Sequence, residues 1–360
     1  MKHATKALAA LGAAAALAIA TAAPAFADPW DGGNIDFGLG EWEFYASSLT
    51  LDDVELVFPD TSTEYTDIWD GMGQIYLTSA DAGLANENLR CEPDSAVDVS
   101  TDAVTGDLLF ACTATNGLIA SSSLVANVEY RVYSTSDLVR VSVELVNTGD
   151  LPITMDDVTF TTDFGSSGDL WNYQGQDDAV LPVPASEDST SMDALNAAGS
   201  RWMVHFEDDD APGGLAWGSA NAAAPASLTE LSGDYSEATV SPFAIPAGES
   251  RTVAYFALWN PATLISLDYT NDSGHGQAEA ADALVPLMSE FDSFSGRLTV
   301  GLEGQQVVNW GPVTEAAKPE LAATGSTVGA TPALAAGALL LGGALVLGYG
   351  VRRRMSGRRA

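Results

Sequence analysis

Lysine is almost missing from this 360-residue chain: Lys2, Lys6 and Lys318 are all it has. None lies in the long middle of the sequence, which excludes covalent cross-links through a lysine amine there. Histidine is nearly as scarce, at three residues. His205 and His275 are far apart and no His-Glu-x-x-His pair occurs, so a tetrahedral zinc site is poorly served. His205, within "RWMVHF", reads as a structural strand residue by its parity with Met203. His275, in "DSGHGQ", neighbours Asp272 and Ser273, yet there is no Gly-x-Ser-x-Gly turn, and triads do not assemble from local neighbours. Cys91 and Cys112 are the only cysteines, without Cys-x-x-Cys spacing, which sets aside a dithiol redox centre. No repeat of fixed period is present, which argues against solenoids and propellers.

What is there begins with the two ends. Lys2 and Lys6 precede the apolar run "ALAALGAAAALAIATAA", and "APAFA" closes it with small residues. This is the pattern of a secretory signal peptide, an N-terminal helix over residues 1–27 with cleavage after Ala27. Near the other end, Ala333 to Val351 is uncharged, long enough at about 1.5 Å per residue to cross a hydrocarbon core of about 30 Å as a transmembrane helix. Arg352, Arg353, Arg354, Arg358 and Arg359 follow, and positive charge beside a membrane segment marks the cytoplasmic side. Residues 28 to about 330 are therefore expected outside the cell.

The pentapeptide Leu321-Ala322-Ala323-Thr324-Gly325 stands before that apolar span and the basic tail. The three parts, in this order and spacing, resemble the cell-wall sorting signal of Gram-positive surface proteins. The resemblance implies that a sortase transpeptidase cuts between Thr324 and Gly325 and joins the Thr carbonyl to an amine of peptidoglycan. The commonest family pattern has Pro in the second position; Ala322 matches the Leu-Ala-x-Thr-Gly variant associated with high-GC Gram-positive bacteria. The expected order is then signal peptide (1–27), ectodomain (28–311), short tether (312–320), sorting motif (321–325), transmembrane segment (326–351) and cytoplasmic tail (352–360).

Seven of the 14 basic residues belong to the processed ends, and all 49 carboxylates lie between them, so the exported part carries a net charge near −42. Such a field repels nucleic acid, which is excluded as a partner, and attracts cations. The loops "EDDDAPGG", with Asp208, Asp209 and Asp210, and "DGGNID", Asp31 to Asp36, offer candidate calcium ligands, although neither completes the spaced pattern of a helix-loop-helix calcium site. With an exported chain, a Cys91–Cys112 disulfide is the default. "AVDVS" and "DLLFA" flank a turn at Thr105-Gly106, and a hairpin there brings the two cysteines near each other.

Between residues 28 and 312 the dominant signal is alternation. Val139, Val141, Val143 and Leu145 alternate with Arg140, Ser142 and Glu144, the period of two expected of a strand with one buried face. Asn147-Thr148-Gly149-Asp150 ends the run, and Pro152 bars a central ladder position before "VTFTT" resumes. "LTLDDVELVF", "VEYRVYS", "RWMVHF" and "SRTVAYFALW" read likewise. One helix is expected in the ectodomain, Gly276 to Phe294, broken or kinked at Pro286. The expected fold class is all-β: a large antiparallel β-sandwich, supersandwich-like, as one domain or two packed ones. Over about residues 125–265 the chain also resembles exported bacterial β-sandwich domains, through "VRVSVELVNTGDLPITMDDVTFTTDFGSSGD", "SRWMVHFEDDD" and "IPAGESRTVAYFALWNPA"; these motifs are structural and imply no active site.

All eight Trp lie in the exported part. Trp171, beside "GSSGDLWNYQGQDD", and Trp217, in "GGLAWGSAN", stand in loop-like contexts that suit stacking on a sugar. The tether is short, about 35 Å at full extension, which places any role within or just above the wall. The expectation is a non-catalytic structural or binding module with carbohydrate as the candidate ligand. The alternative is a polysaccharide-active enzyme on the same scaffold, since paired carboxylates need no sequence signature.

Overall fold

This computed structural model describes residues 34–37, 40–45, 49–56, 71–91, 97–115, 117–134, 138–163, 172–175, 180–182, 189–206, 213–219, 221–231, 235–258 and 284–313. The signal segment, most of the tether, the sorting motif, the apolar span and the basic tail lie outside them.

Strands β1 (Asn34–Phe37), β2 (Gly40–Tyr45), β3 (Thr50–Leu56), β4 (Gly71–Ser79) and β5 (Leu84–Asn88) open the described chain. Next come β6 (Asp98–Thr101), β7 (Leu108–Thr113), the short helix α1 (Gly117–Ser121), and the long hairpin β8 (Leu124–Val132) and β9 (Leu138–Asn147). After β10 (Ile153–Met155), β11 (Asp157–Asp163), β12 (Asn172–Gly175) and β13 (Val180–Pro182) comes helix α2 (Ser189–Ala198). The chain continues with β14 (Trp202–Phe206), β15 (Gly213–Ala216), β16 (Ala226–Leu231), β17 (Tyr235–Val240), β18 (Phe243–Ile245) and β19 (Ser250–Leu258). It closes with β20 (Gln306–Val307) and β21 (Gly311–Pro312).

Two large sheets form. One has eight strands in the order β1-β2-β3-β4-β11-β17-β16, with β5 beside β4; the other has eleven, β13-β12-β14-β15-β19-β9-β8-β7-β6, with β20 beside β19 and β21 beside β20. Among the described strands, pairing is antiparallel except for β19 with β20, where Thr252 faces Val307. The core lies between the two large sheets, with Met72, Ile75, Leu77 and Phe160 from the first and Val128, Tyr130, Val141, Val143 and Tyr255 from the second. Phe160 stacks on Tyr255 at 4.5 Å between ring centres. The Tyr255 hydroxyl crosses to the Val158 carbonyl at 2.9 Å, so a buried polar group is satisfied by the opposite sheet. Each fully buried Val, Leu or Phe here contributes about 1.5–3 kcal/mol relative to exposure. The fold is mostly β, with antiparallel sheets in a sandwich-like arrangement.

The described residues depart from the expected pattern in three places. First, the polar face of β9 is not a solvent face throughout: Arg140 is fully buried and Ser142 nearly so. The cause is a third layer. Residues 284–313 pack on the outer face of the eleven-stranded sheet, where Leu284, Met288, Phe291, Leu298, Leu302, Val307 and Trp310 meet Tyr133, Leu138, Trp202, Val204 and Phe256. Second, of the expected late helix only 284–288 is helical among the described residues; it passes through Pro286 and gives way to the 3-10 turns Ser289–Asp292 and Gly296–Thr299. Third, α2 adds to the expected pattern: its sequence "STSMDALNAA" is polar and gives no apolar stripe, and it is anchored by the buried Leu195. Asn196 explains its position: the side-chain amide donates to the Leu228 carbonyl at 2.7 Å and accepts from the Leu228 amide at 3.0 Å. The helix thus covers edge strand β16 and occupies groups that would otherwise be open to another strand.

The Cys91–Cys112 disulfide is present, with Cα atoms 6.1 Å apart. The Thr105-Gly106 hairpin also forms, as β6 and β7. Cys91 follows β5 of the eight-stranded sheet, whereas Cys112 lies on β7 of the other, so the bond joins the two sheets.

Candidate functional site

Successive residues of a strand alternate between faces, so one register fixes what the outer face of the eleven-stranded sheet presents. Across β8 and β9, Arg131 faces Arg140, Glu129 faces Ser142 and Asn127 faces Glu144. β7 places Ala111 opposite Glu129 and Thr113 opposite Asn127, and β6 places Asp98 opposite Ala111. The C-terminal layer covers only part of this polar plane. Where it stops, at Gly301, Leu302 and Gln305, a groove of about 460 Å³ opens, lined also by Asp98, Thr113, Asn127, Glu129, Ser142 and Glu144.

Two networks organise the groove. In the first, Thr113 Oγ1 donates to Asn127 Oδ1 at 2.9 Å and Asn127 Nδ2 donates to Glu144 Oε2 at 3.1 Å. This holds the amide in one orientation and leaves Glu144 Oε1 as an acceptor. In the second, Glu129 Oε1 receives Arg140 Nη2 at 2.7 Å and Arg131 Nε at 3.4 Å. Arg131 also pairs with Asp107 at 2.9 Å and Asp102 at 3.0 Å. Burial pulls the Arg131 pKa down, but the hydrogen bonds it donates to Asp107 and Asp102 and the charge of Glu129 outweigh it, leaving the guanidinium above its ordinary value. Asp102 is held below the usual carboxylate range, chiefly by the backbone amides of Val104 and Thr105. Arg140 continues outward, donating to the Val300 carbonyl at 2.6 Å, and so ties the lip of the groove to the sheet. Gly301 completes the fit: its φ is +78°, and a Cβ there would lie 2.8 Å from Arg131 Nη2.

The groove therefore offers hydroxyl, amide and carboxylate groups in fixed positions, with its two cations engaged behind Glu129. Chemically, that inventory can donate hydrogen bonds to, and accept them from, the polar groups of a ligand laid across the sheet. Among the described residues, no group of three or more His, Cys, Asp or Glu is placed to hold a metal ion.

Of the residues singled out from sequence, Trp217 and His205 are described and fall outside the groove. Trp217 is 2% exposed and belongs to the core between the sheets. Sequence context placed it in a loop, but β15 ends only one residue before it and the chain has not left the sandwich, so it offers no face to a sugar. His205 is fully buried on β14, opposite Tyr173 and Gly213, and burial lowers its pKa to about 3. Trp171, the candidate calcium ligands Asp208, Asp209 and Asp210, His275, and the sorting motif Leu321, Ala322, Ala323, Thr324 and Gly325 lie outside the described residues. The groove residues had a sequence signal that was available: "VANVEYRV" and "VRVSVELV" alternate polar with apolar, and the parity that marks the core also marks the groove. Gln305 had none, since it joins the site through the packing of the C-terminal layer.

No family model matches this chain, and no curated protein matches it. Solved structures do show a distant likeness. The Slr1438 protein from Synechocystis is 10% identical with a TM-score of 0.35, the match covering 64% of this chain and 96% of that one. The GH36 alpha-galactosidase AgaA from Geobacillus stearothermophilus is 10% identical with a TM-score of 0.41, over 66% of this chain and 42% of the enzyme. A galactose mutarotase-like protein from Lactobacillus casei is 11% identical with a TM-score of 0.36, over 63% of this chain and 99% of that one. Likeness at this level leaves the function to be read from this chain's own residues.

Proposed function

We propose that this chain is an exported surface protein, joined by sortase to peptidoglycan at Thr324, whose β-rich ectodomain is a non-catalytic module that binds carbohydrate in the groove on its eleven-stranded sheet. The observation that carries the binding reading is the fixed array of Thr113, Asn127, Glu129, Ser142, Glu144 and Gln305 around one groove. A sugar ring presents vicinal hydroxyls that both donate and accept, and amide and carboxylate groups on adjacent strands match them without aromatic stacking. Export is supported by the signal-peptide pattern and, independently, by the formed disulfide, which is characteristic of an oxidising compartment. Anchorage is supported by the order of motif, apolar span and basic tail.

The non-catalytic reading rests on how the glutamates are held. Glu129 accepts from two guanidinium groups and Glu144 from an amide, so both are occupied as fixed acceptors. One observation favours a second reading: Glu129 and Glu144 are diagonal neighbours across β8 and β9, a relation that places residues roughly 7–8 Å apart. An inverting glycosidase uses two carboxyl groups about 6.5–9.5 Å apart, and this register sets the two glutamates on one face at positions from which carboxyl groups can reach that spacing. A glycan array probed with the full chain in detergent, with calcium and with a chelator, separates these readings. Binding with intact ligand supports the module, shortened ligand replaces it with the hydrolase, and silence under both conditions removes the carbohydrate reading. Anchorage is read separately: Thr324→Ala should shift the protein from the wall fraction to the membrane fraction, and an unchanged wall fraction would contradict it.

A further inference from the structure

The last described segment is built unusually for the end of a domain. β20 and β21 form a tight hairpin, Gln306 facing Pro312 and Val307 facing Gly311, but its tip is not in solvent. Val308, Asn309 and Trp310 are 6%, 0% and 5% exposed, so the turn itself is inserted into the protein. It fills a gap in the eleven-stranded sheet. β15 pairs with β19 only as far as Ala216 opposite Phe256, and beyond that point β19 would lack a neighbour on that side. Asn309 supplies one with its side chain: Oδ1 accepts from the Ala254 amide at 3.1 Å, while Nδ2 donates to the carbonyls of Ala254 at 2.7 Å and Trp217 at 2.8 Å. One side-chain amide thus stands in for a peptide unit between two strands. Its own backbone carbonyl takes the Ser219 amide at 2.7 Å, and Val308 donates to Thr252 at 2.8 Å. Trp310 Nε1 adds a bond to the Ala254 carbonyl at 2.7 Å. Gly218 makes room, since a Cβ there would lie 2.5 Å from the Asn309 carbonyl oxygen.

β19, the strand so engaged, is paired over nine residues with β9, from Ser250 opposite Val146 to Leu258 opposite Leu138. The residues just before the hairpin, Gly301, Leu302 and Gln305, are the lip of the groove, and Gln305 Oε1 accepts from Thr252 Oγ1 of the same strand at 2.7 Å. The residues just after it lead to the tether. We propose that the 306–312 hairpin is a plug that carries tension. Tension between a ligand held in the groove and a C-terminus fixed to the wall passes through residues 301–313 into β19, and does not require the rest of the domain to resist it. Extraction of the tip must break the Asn309 and Trp310 bonds together while those groups are still out of reach of water, which makes the step slow under load. This inference rests on the readings that the groove holds a ligand and that the C-terminus is attached to the wall, but it concerns a mechanical property of the chain that can be measured without either.

The test is single-molecule force clamping of the full chain in detergent, with one handle at Val104→Cys on the exposed β6–β7 turn and the second at either the C-terminus or the N-terminus. Only the C-terminal geometry sends load through the hairpin. Asn309→Ala, and the milder Gln305→Ala, should shorten the lifetime at constant force in the C-terminal geometry, by on the order of tenfold for Asn309→Ala, and by less than about twofold in the N-terminal geometry. Equal shortening in both geometries would make the hairpin an ordinary structural element, and no shortening in either would show that load bypasses it; each outcome overturns the proposal. Gln305→Ala carries the comparison if Asn309→Ala does not fold. Failure here leaves the wall-fraction result for Thr324→Ala untouched, so the two readings fail separately.

Discussion

Acidification should weaken this protein in a way that can be assigned in part to His205. The imidazole is fully buried on β14, and burial holds its pKa at about 3 against 6.5 for an ordinary histidine. A depressed folded-state pKa means that between about pH 6.5 and pH 3 the unfolded chain binds a proton that the folded chain refuses, so stability falls as pH falls through that window. At about 1.36 kcal/mol per pKa unit, the full difference is on the order of 4–5 kcal/mol, reached near pH 3. Between pH 7 and pH 5 the loss is about 2 kcal/mol. With a urea m-value of about 2–3 kcal/mol/M for a domain of this size, the unfolding midpoint should drop by roughly 0.7–1 M over that interval. Many carboxylates also titrate toward the acid end, so the comparison needs His205→Gln, which keeps a polar group of similar size but removes the titration. Urea unfolding of both proteins at pH 7 and pH 5, followed by tryptophan fluorescence, gives the difference directly. The midpoint of the variant should move less than that of the parent by the amount stated. Parallel shifts in the two proteins would refute the assignment of the acid sensitivity to His205.

Further outcomes follow from the same geometry. Reducing the Cys91–Cys112 bond, which closes a span of 21 residues, should lower stability by about 3 kcal/mol on the chain-entropy account, seen as a lower urea midpoint in reductant. Arg140→Met removes the tie between Glu129 and the Val300 carbonyl; because Glu129 is partly exposed and keeps Arg131, the cost should be about 2 kcal/mol, with faster amide exchange across residues 296–302. Trp217→Ala should cost about 3–5 kcal/mol in thermal or urea unfolding and leave the affinity for any glycan unchanged, the reverse of what a stacking platform would show.

Alternation makes the sandwich legible in the sequence. "VRVSVELV" placed Val139, Val141, Val143 and Leu145 on the inner face, and they are buried there. The Asn147-Thr148-Gly149 turn was also readable, and Asn147 proves to brace it, donating to the carbonyls of Leu151 at 2.7 Å and Ile245 at 2.9 Å. What could not be read was the third layer. A strand's period of two distinguishes one face from the other, but it does not say whether the polar face meets water or a later segment of chain. Arg140 looked like a surface residue for that reason, and it is buried under carbonyls contributed about 160 positions later. Trp217 and Asn309 illustrate the same gap from the other side. A glycine-rich context signals loop for the first, and nothing local in "VVNW" announces that an asparagine will complete a sheet.

The groove is the centre of the account, and its most direct test compares the full chain with an Asn127→Ala, Glu144→Gln double variant on one glycan array. These residues lie on the outer face, away from the core, so the variant should unfold at nearly the parent's midpoint. The account predicts at least one glycan that the parent retains and the variant binds about tenfold or more weakly, two hydrogen bonds to fixed polar groups being worth at least that. A glycan bound equally by both, or none bound by the parent, would contradict it.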